Sequence, residues 1–252
     1  MPKFDRYTLF ARLFPAIIAA APALALAWVL VSGKSLGITH AIAGTALAVL
    51  LMVFADVARR RGKQIEPALI ERMGGLPSIT MLRHRDDTLD APTKAHMQKF
   101  LSDKLGEPAP TAADEQADPA AADGYYTRAG TWLRENTRNK KKFDILFNEN
   151  ITYGYRRNLF ALKWPALVLN AAIVVGCIVA YFFGIPDKYS LGLIPVFFIA
   201  FLHAAYLAIF SNENSVREAS RIYARQLLLS TESPHLVSAK PTKPRAKKRD
   251  AA

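Results

Sequence analysis

The sequence predicts an all-α integral membrane protein, with four transmembrane helices in two hairpins and a helical cytoplasmic domain inserted between the hairpins. The distribution of charged residues is the first observation behind this prediction. Asp, Glu, Lys and Arg are absent from residues 13–32, 37–55, 164–186 and 189–212. A helix needs roughly 20 apolar residues to cross the hydrocarbon core of a bilayer. Each of the four runs is therefore long enough to span a membrane, or nearly so.

The positions of the basic residues are the second observation, and they predict the orientation. All of the 33 Lys and Arg residues except Lys34 and Lys188 fall on one side of the membrane if both termini share that side. Such an excess marks the cytoplasmic face. We therefore expect a multi-pass protein of the bacterial inner (cell) membrane with both termini cytoplasmic. A cleaved signal peptide is the alternative for the first run, but its length and the second run directly after it favour a span.

Four segments follow from this pattern. Residues 1–56 form an N-terminal transmembrane hairpin, 57–163 a cytoplasmic helical domain, and 164–212 a C-terminal transmembrane hairpin. Residues 213–252 form a cytoplasmic helix and a disordered basic tail. Within the cytoplasmic domain we expect a helix from Thr93, as its N-cap, to Leu105. The acidic, Ala- and Pro-rich stretch 107–123 is typical of a mobile connection.

No sequence motif for catalysis is present, and we expect a protein that is not an enzyme and has no cofactor. The chain lacks a phosphate-binding loop, a dinucleotide-binding glycine pattern and the H-E-x-x-H and G-x-S-x-G motifs. The single cysteine, Cys177, excludes a Cys-based metal cluster, and we expect no metal site. His84 beside Asp86 and Asp87 is the one acid–histidine combination for general acid–base chemistry. A charged turn between helices is the alternative that we favour.

A cytoplasmic stretch rich in cations, Asn and aromatic residues is the candidate ligand-binding region. Such side chains neutralise phosphates, stack on bases and bond to base edges, as binding of a nucleotide or a single-stranded oligonucleotide requires. The candidate ligand-binding residues are Arg83, His84, Arg85, Arg134, Arg138, Lys140, Lys141, Lys142, Asn148, Asn150, Tyr153, Tyr155, Arg156 and Arg157.

Membrane lipids are the alternative partner for some of these cations. Arg156 and Arg157 lie so close to the third predicted span that contact with acidic headgroups is favoured for them. The cations at 138 and 140–142 lie about five helical turns further out. For that group a ligand or partner is nearly as plausible as plain solvation.

Polar and small residues within the spans are the candidate pore or helix-packing positions. Asn170 and His203 are deep enough to require partners, and an ionisable group at that depth is a functional candidate. His203 is a candidate for lining a pore or relaying protons, but a neutral His bonded to a neighbouring helix is favoured. Gly176 and Gly184 recur at four-residue spacing around Ala180, which allows helix backbones to approach closely.

Three stretches of the chain resemble a known family. They are Leu-Arg-His-Arg-Asp at 82–86, Trp-Leu-Arg-Glu-Asn-Thr-Arg at 132–138, and Glu-Asn-Ile-Thr-Tyr-Gly-Tyr-Arg-Arg-Asn-Leu at 149–159. They are similar to small bacterial membrane proteins of anti-phage defence operons of the Hailong kind. The resemblance implies an oligomeric effector that is controlled by a short oligonucleotide made by a partner nucleotidyltransferase and that depolarises the membrane on opening.

The sequence thus favours a ligand-gated membrane effector that works as a homo-oligomer in the lipid bilayer, and the resemblance implies that this effector is an ion-conducting channel. A ligand on the cytoplasmic domain would shift the population between two packings of the hairpins. The alternative is a non-conducting scaffold that anchors a soluble partner to the inner membrane through basic surfaces.

Overall fold

The computed structural model describes residues 5–31, 38–184 and 192–237. Every regular element of these residues is helical, and a π-helical turn at Thr8–Leu13 opens the chain. In chain order the helices are α1 (Phe14–Val31), α2 (Ile38–Arg72), α3 (Pro77–Thr80), α4 (Ala91–Leu105), α5 (Ala112–Ala117), α6 (Pro119–Asn136), α7 (Asp144–Phe182), α8 (Leu193–Phe210), α9 (Glu213–Leu229) and α10 (Pro234–Val237), with a 3₁₀ turn at Ser230–Glu232 before α10.

Three helical segments are long and apolar enough to cross a membrane, by length and composition. They are Thr8–Leu30, Asp144–Phe182 and Leu193–Phe210. The all-helical class is confirmed, and the apolar helices indicate a membrane protein. The fourth predicted span, 37–55, stays a prediction, because residue 37 and many side chains of 38–50 lie outside the described residues. The stretches 33–36 and 187–188 between the predicted spans, and the end of the predicted basic tail from residue 238 on, also lie outside them.

The chain divides into two compact units. The membrane unit comprises Met1–Leu69 and Asn150–Ala219, and the helical domain comprises Ile70–Glu149 and Ser220–Ala252. The chain therefore changes unit within α2, α7 and α9.

In the membrane unit, α1 and α8 pack against each other in opposite directions. Val29 near the end of α1 shares an apolar cluster with Leu193 and Val196 at the start of α8. Ala19 shares another cluster with Leu207, near the end of α8. The α1 face is built largely of alanine, whose small side chain lets the two helices approach closely.

The helical domain has its own apolar core. α9 contributes to it through Ala224, Leu227 and Leu228, although the sequence assigns α9 to the terminal segment. Burial of one large aliphatic or aromatic side chain contributes about 1.5–3 kcal/mol. The largest fully buried side chains of this core are Met81, Leu82, Met97, Leu101, Tyr126, Leu133, Leu227, Leu228 and Leu236.

The start of α4 differs from the prediction. The helix begins at Ala91, and Asp90 rather than Thr93 is its N-cap, because the Asp90 carboxylate accepts a hydrogen bond from the Thr93 N–H at 2.9 Å. This bond holds the pKa of Asp90 below its usual value. Pro92 in the first turn loses no hydrogen bond there, since first-turn N–H groups have no partner within the helix.

The prediction of a mobile connection over 107–123 is wrong. Residues 112–117 form α5, which a reciprocal capping box of Thr111 and Asp114 begins. Asp118 then caps α6 by accepting from the Ala121 N–H at 3.0 Å. Two of the acidic residues in this stretch, Asp114 and Asp118, therefore act in helix caps.

Candidate functional site

A buried ion pair joins two helices of the membrane unit. The Arg157 guanidinium on α7 lies 2.5 Å from Oε1 of Glu66 on α2, and only 6% of Arg157 is exposed. Tyr153 donates its hydroxyl to the same carboxylate oxygen at 2.8 Å. Residues 153 and 157 share one face of α7 because they are four positions apart. Glu66 thus accepts two hydrogen bonds from one helix face.

Asn158 extends this cluster to the first helical segment. Its side-chain amide donates to the Ala11 carbonyl at 2.7 Å, and its Oδ1 lies 3.4 Å from two nitrogens of Arg157. Ala11 belongs to the π-helical turn, in which backbone hydrogen bonds shift from i+4 to i+5. Such turns occur frequently at functional sites. We call Glu66, Tyr153, Arg157, Asn158 and Ala11 the arginine cluster.

Two glycines allow the helices of the arginine cluster to come this close. A Cβ at Gly62 of α2 would overlap Oδ1 of Asn158. A Cβ at Gly154 of α7 would lie 2.9 Å from the Tyr7 hydroxyl and 3.1 Å from the Ala11 Cβ. Glu66, Asn158 and both glycines are not among the predicted site residues. The sequence signal for Glu66 was an acid four residues from a glycine, next to a basic stretch.

Beside the arginine cluster, Tyr155 of α7 forms a polar contact with α8. Its hydroxyl lies 2.8 Å from that of Tyr206. The half-buried Arg156 places its guanidinium 5.6 Å from the centre of the Tyr155 ring, a cation–π geometry. The four predicted ligand-binding residues at 153 and 155–157 are therefore engaged with protein groups.

Another polar contact between α7 and α8 lies within the apolar segments of these two helices. Asn170 donates its amide to the Ala200 carbonyl at 2.8 Å and contacts His203 Nδ1 at 3.1 Å. Nδ1 is therefore the acceptor, and the proton of neutral His203 is on Nε2. The Ile18 backbone interacts with this ring, but not in hydrogen-bond geometry with Nε2. His203 Nε2 and Asn170 Oδ1 are both buried and both without a hydrogen-bond partner.

The two glycines predicted at pore or packing positions make no tight contact within the chain. A Cβ added to either would meet no atom of the described residues within 4 Å. Gly176 lies inside α7, and Gly184, with φ +83°, follows its end. A positive φ strains any residue with a Cβ, which suits glycine at a helix end.

The predicted site residues Arg83, His84 and Arg85 form a tightly held turn in the helical domain. Arg83 makes two hydrogen bonds of 2.8 Å to the Asp123 carboxylate. The buried ammonium group of Lys94 donates to the carbonyls of Arg83 and Asp86. Gln98, also buried, donates to the Leu82 carbonyl at 2.8 Å. These contacts agree with the charged-turn interpretation of this segment.

His84 is oriented by the same turn. Its backbone N–H donates to the Glu115 carboxylate at 2.8 Å, and its ring Nε2 donates to the Pro110 carbonyl at 2.8 Å. Tyr126 donates its hydroxyl to Glu115 at 3.1 Å. Burial, and next the charge of Glu115, raise the pKa of the Tyr126 phenol, which stays a donor at neutral pH. The His84 ring thus faces a backbone carbonyl rather than a nucleophile.

Replacement of Glu115 with alanine is expected to destabilise the helical domain by about 2–3 kcal/mol, because two donors lose their acceptor in a buried site. His84→Ala keeps the backbone N–H and should cost about 1 kcal/mol. Hydrogen exchange of the full chain, followed by mass spectrometry over residues 82–87 and 111–118, measures the change. Glu107→Ala, which removes an exposed pair with Arg128, is the control. Unchanged exchange in Glu115→Ala would contradict the structural role.

The remaining predicted ligand-binding residues lie around the turn between α6 and α7. Arg138 pairs with Glu135 at 2.6 Å, and Arg134 donates to the Thr131 hydroxyl at 3.0 Å. The basic loop, residues 138–142, is fully exposed, while Asn148 and Asn150 are half-buried on α7. The predicted set is divided between the units, because residues 83–148 belong to the helical domain and residues 150–157 to the membrane unit.

The described residues contain no group of three or more His, Cys, Asp or Glu side chains that could hold a metal ion. Comparison with known proteins adds no assignment: no family model, no curated protein and no solved structure matches this chain. The class that fold and site support is a helical membrane protein with buried polar contacts between its apolar helices.

Proposed function

We propose that the chain is a ligand-gated membrane effector, a non-catalytic homo-oligomer of the bacterial inner membrane with an ion-conducting state. It would cross the membrane four times in two hairpins, with both termini in the cytoplasm. A nucleotide or short oligonucleotide, made by a partner nucleotidyltransferase during anti-phage defence, would control it. The basic residues of the helical domain would attract this anionic ligand.

The buried polar pair of Asn170 and His203 is the observation that supports this proposal most. A protein that only anchors a partner is served by apolar packing between its spans. A polar atom buried in an apolar environment without a hydrogen bond costs stability, and Asn170 Oδ1 is in that condition. His203 Nε2 is also buried, and its one interaction, with the Ile18 backbone, falls outside hydrogen-bond geometry. Intramembrane ionisable residues commonly mark ion or proton pathways. In a second packing of the helices these two atoms would face water or an ion.

The arginine cluster would act as the lock between the two packings. Three segments meet there through hydrogen bonds, and such polar contacts favour one specific arrangement over its competitors. A ligand can shift the population only by binding one packing more tightly than the other. Ligand binding that weakened the lock would therefore favour the conducting state.

Membrane potential in bacteria expressing the full chain tests this function, with and without the neighbouring genes of its operon. We expect depolarisation that a neighbouring gene triggers or suppresses. Asn170→Leu and His203→Leu, which remove the buried polar atoms, should abolish most of that signal while the protein still accumulates in the membrane. Val175→Leu, at an exposed position of α7, is the matched control. An unchanged potential in every combination would reject the channel.

A scaffold for a soluble partner is the second candidate, favoured by the exposed basic loop of the helical domain. A scaffold should tolerate polar substitutions within the spans, and removal of the basic tail at 240–252 should abolish its function. An effector should show the opposite behaviour. A scaffold should likewise tolerate the Asn170→Leu and His203→Leu variants, so these variants and a tail deletion separate the two functions.

A further inference from the structure

The two ends of α6 carry opposite charges on exposed surfaces of the helical domain. The acidic end contains Asp114 and Asp118 among exposed alanines at 112, 113, 117, 120 and 121. The basic end is the basic loop. The 18 residues of α6 separate these ends by about 27 Å. Acids at the N-terminus and cations at the C-terminus also stabilise a helix by interacting with its dipole. That role does not explain why exposed apolar residues accompany the charges.

Exposed aliphatic side chains accompany the basic loop. Ile145 is 58% exposed and Val237 is 59% exposed. They follow Phe143 and His235 by two residues each, and the rings of Phe143 and His235 are in edge-to-face contact at 6.0 Å. The described part of the helical domain has three exposed large hydrophobic residues. Two of them, Ile145 and Val237, belong to segments that meet beside the basic loop.

The local geometry of the loop leaves Lys141 and Lys142 exposed. Asn139 Oδ1 accepts from the N–H groups of Lys141 and Lys142 at 3.1 and 3.2 Å, which fixes the turn. Neither of these two lysines has an ion-pair partner among the described residues. Lys140 places its ammonium 4.6 Å from the centre of the Phe147 ring, so that this aromatic face is occupied.

We infer that the basic end of α6 docks onto the acidic end of α6 in a second copy of this chain. The lysines would meet Asp114 and Asp118 at the rim, and Ile145 and Val237 would pack on the exposed alanines in the centre. This follows the usual division of an interface into an apolar core and a polar rim. Because the two ends differ, the contact is heterologous, and it forms a ring if the rotation closes. The inference rests on the homo-oligomer of the proposed function and names its interface.

Disulfide cross-linking of the full chain in bacterial membranes tests this contact. In a Cys177→Ala background, Ile145→Cys combined with Ala117→Cys should give a ladder of multimers after mild oxidation. Each single substitution should give no more than a dimer. Gln116→Lys together with Ala120→Lys adds two cations to the acidic end without altering its caps, and should remove the ladder. Lys141→Glu with Lys142→Glu should restore the ladder in that background.

The outcomes separate the interface from the function. A ladder that is lost and then restored by charge exchange supports head-to-tail docking. Absence of a ladder, or a ladder that ignores the charge changes, overturns it and leaves this surface to a different protein. Depolarisation that persists without a ladder would keep the effector and reject only this interface. A ladder without depolarisation would support this interface and reject the effector.

Discussion

Replacement of Glu66 with leucine is expected to destabilise the membrane unit by about 3 kcal/mol. The substitution leaves the Arg157 guanidinium buried without its counter-ion and removes the acceptor of the Tyr153 hydroxyl. Removal of one partner of a buried ion pair typically costs about 3–5 kcal/mol. The lower end applies here because 24% of the Glu66 side chain is exposed. Pulse proteolysis of the full chain in mixed micelles across an SDS series measures the loss.

Two further variants show whether this cost comes from the buried charge. The double variant Glu66→Leu/Arg157→Leu should recover much of the lost stability, since an apolar pair of similar volume often equals or exceeds a buried ion pair. Asp56→Ala breaks the exposed pair of Asp56 and Arg60 on the same helix and should change stability by no more than about 0.5 kcal/mol. Equal losses for Glu66→Leu and Asp56→Ala would contradict a buried lock.

The helical class and three helices long and apolar enough to cross a membrane were predictable because they depend on local composition. Uncharged runs of about 20 residues identify helices whose surroundings are apolar. Helix ends were harder. Thr93 and Asp90 are both capping residue types, and only the geometry shows that Asp90 supplies the cap and Thr93 the N–H. The stretch 107–123 was misjudged because Asp114 and Asp118 act in helix caps while Glu115 and Asp123 accept hydrogen bonds from the turn at 83–84, which composition alone does not reveal.

The arginine cluster could not be predicted because its members are distant in sequence. Glu66 and Arg157 are 91 residues apart, and Asn158 and Ala11 are 147 apart. In the sequence, Arg157 is a cation near the membrane. A lipid headgroup, an anionic ligand and a carboxylate side chain would all be suitable partners for it. Only the tertiary fold shows that Glu66 is that partner. His84 was similarly ambiguous until the position of Glu115 on α5 was known.

Replacement of Gly62 with alanine is expected to disrupt the same cluster by a steric route. The new Cβ would overlap Oδ1 of Asn158, whose side chain is 1% exposed and held by the Ala11 carbonyl. Asn158 cannot move without losing that hydrogen bond. The energetic cost of overpacking and the cost of leaving a polar group unpaired therefore add together. Each typically costs about 1–3 kcal/mol, and we expect a loss of about 3 kcal/mol. Gly154→Ala, with its closest contact at 2.9 Å, should cost about 1–2 kcal/mol.

Each of these glycines has a matched control in its own helix. A Cβ at Gly44 of α2 or at Gly176 of α7 would meet no atom of the described residues within 4 Å. Gly44→Ala and Gly176→Ala should therefore be neutral or slightly stabilising, because alanine favours the helix by about 0.5–1 kcal/mol over glycine. The double variant Gly62→Ala/Asn158→Ala removes the overlap and should cost less than the sum of its parts, as expected for residues in contact. Additive losses would mean that Gly62 does not act through Asn158. The two helices would then be held together at a different point.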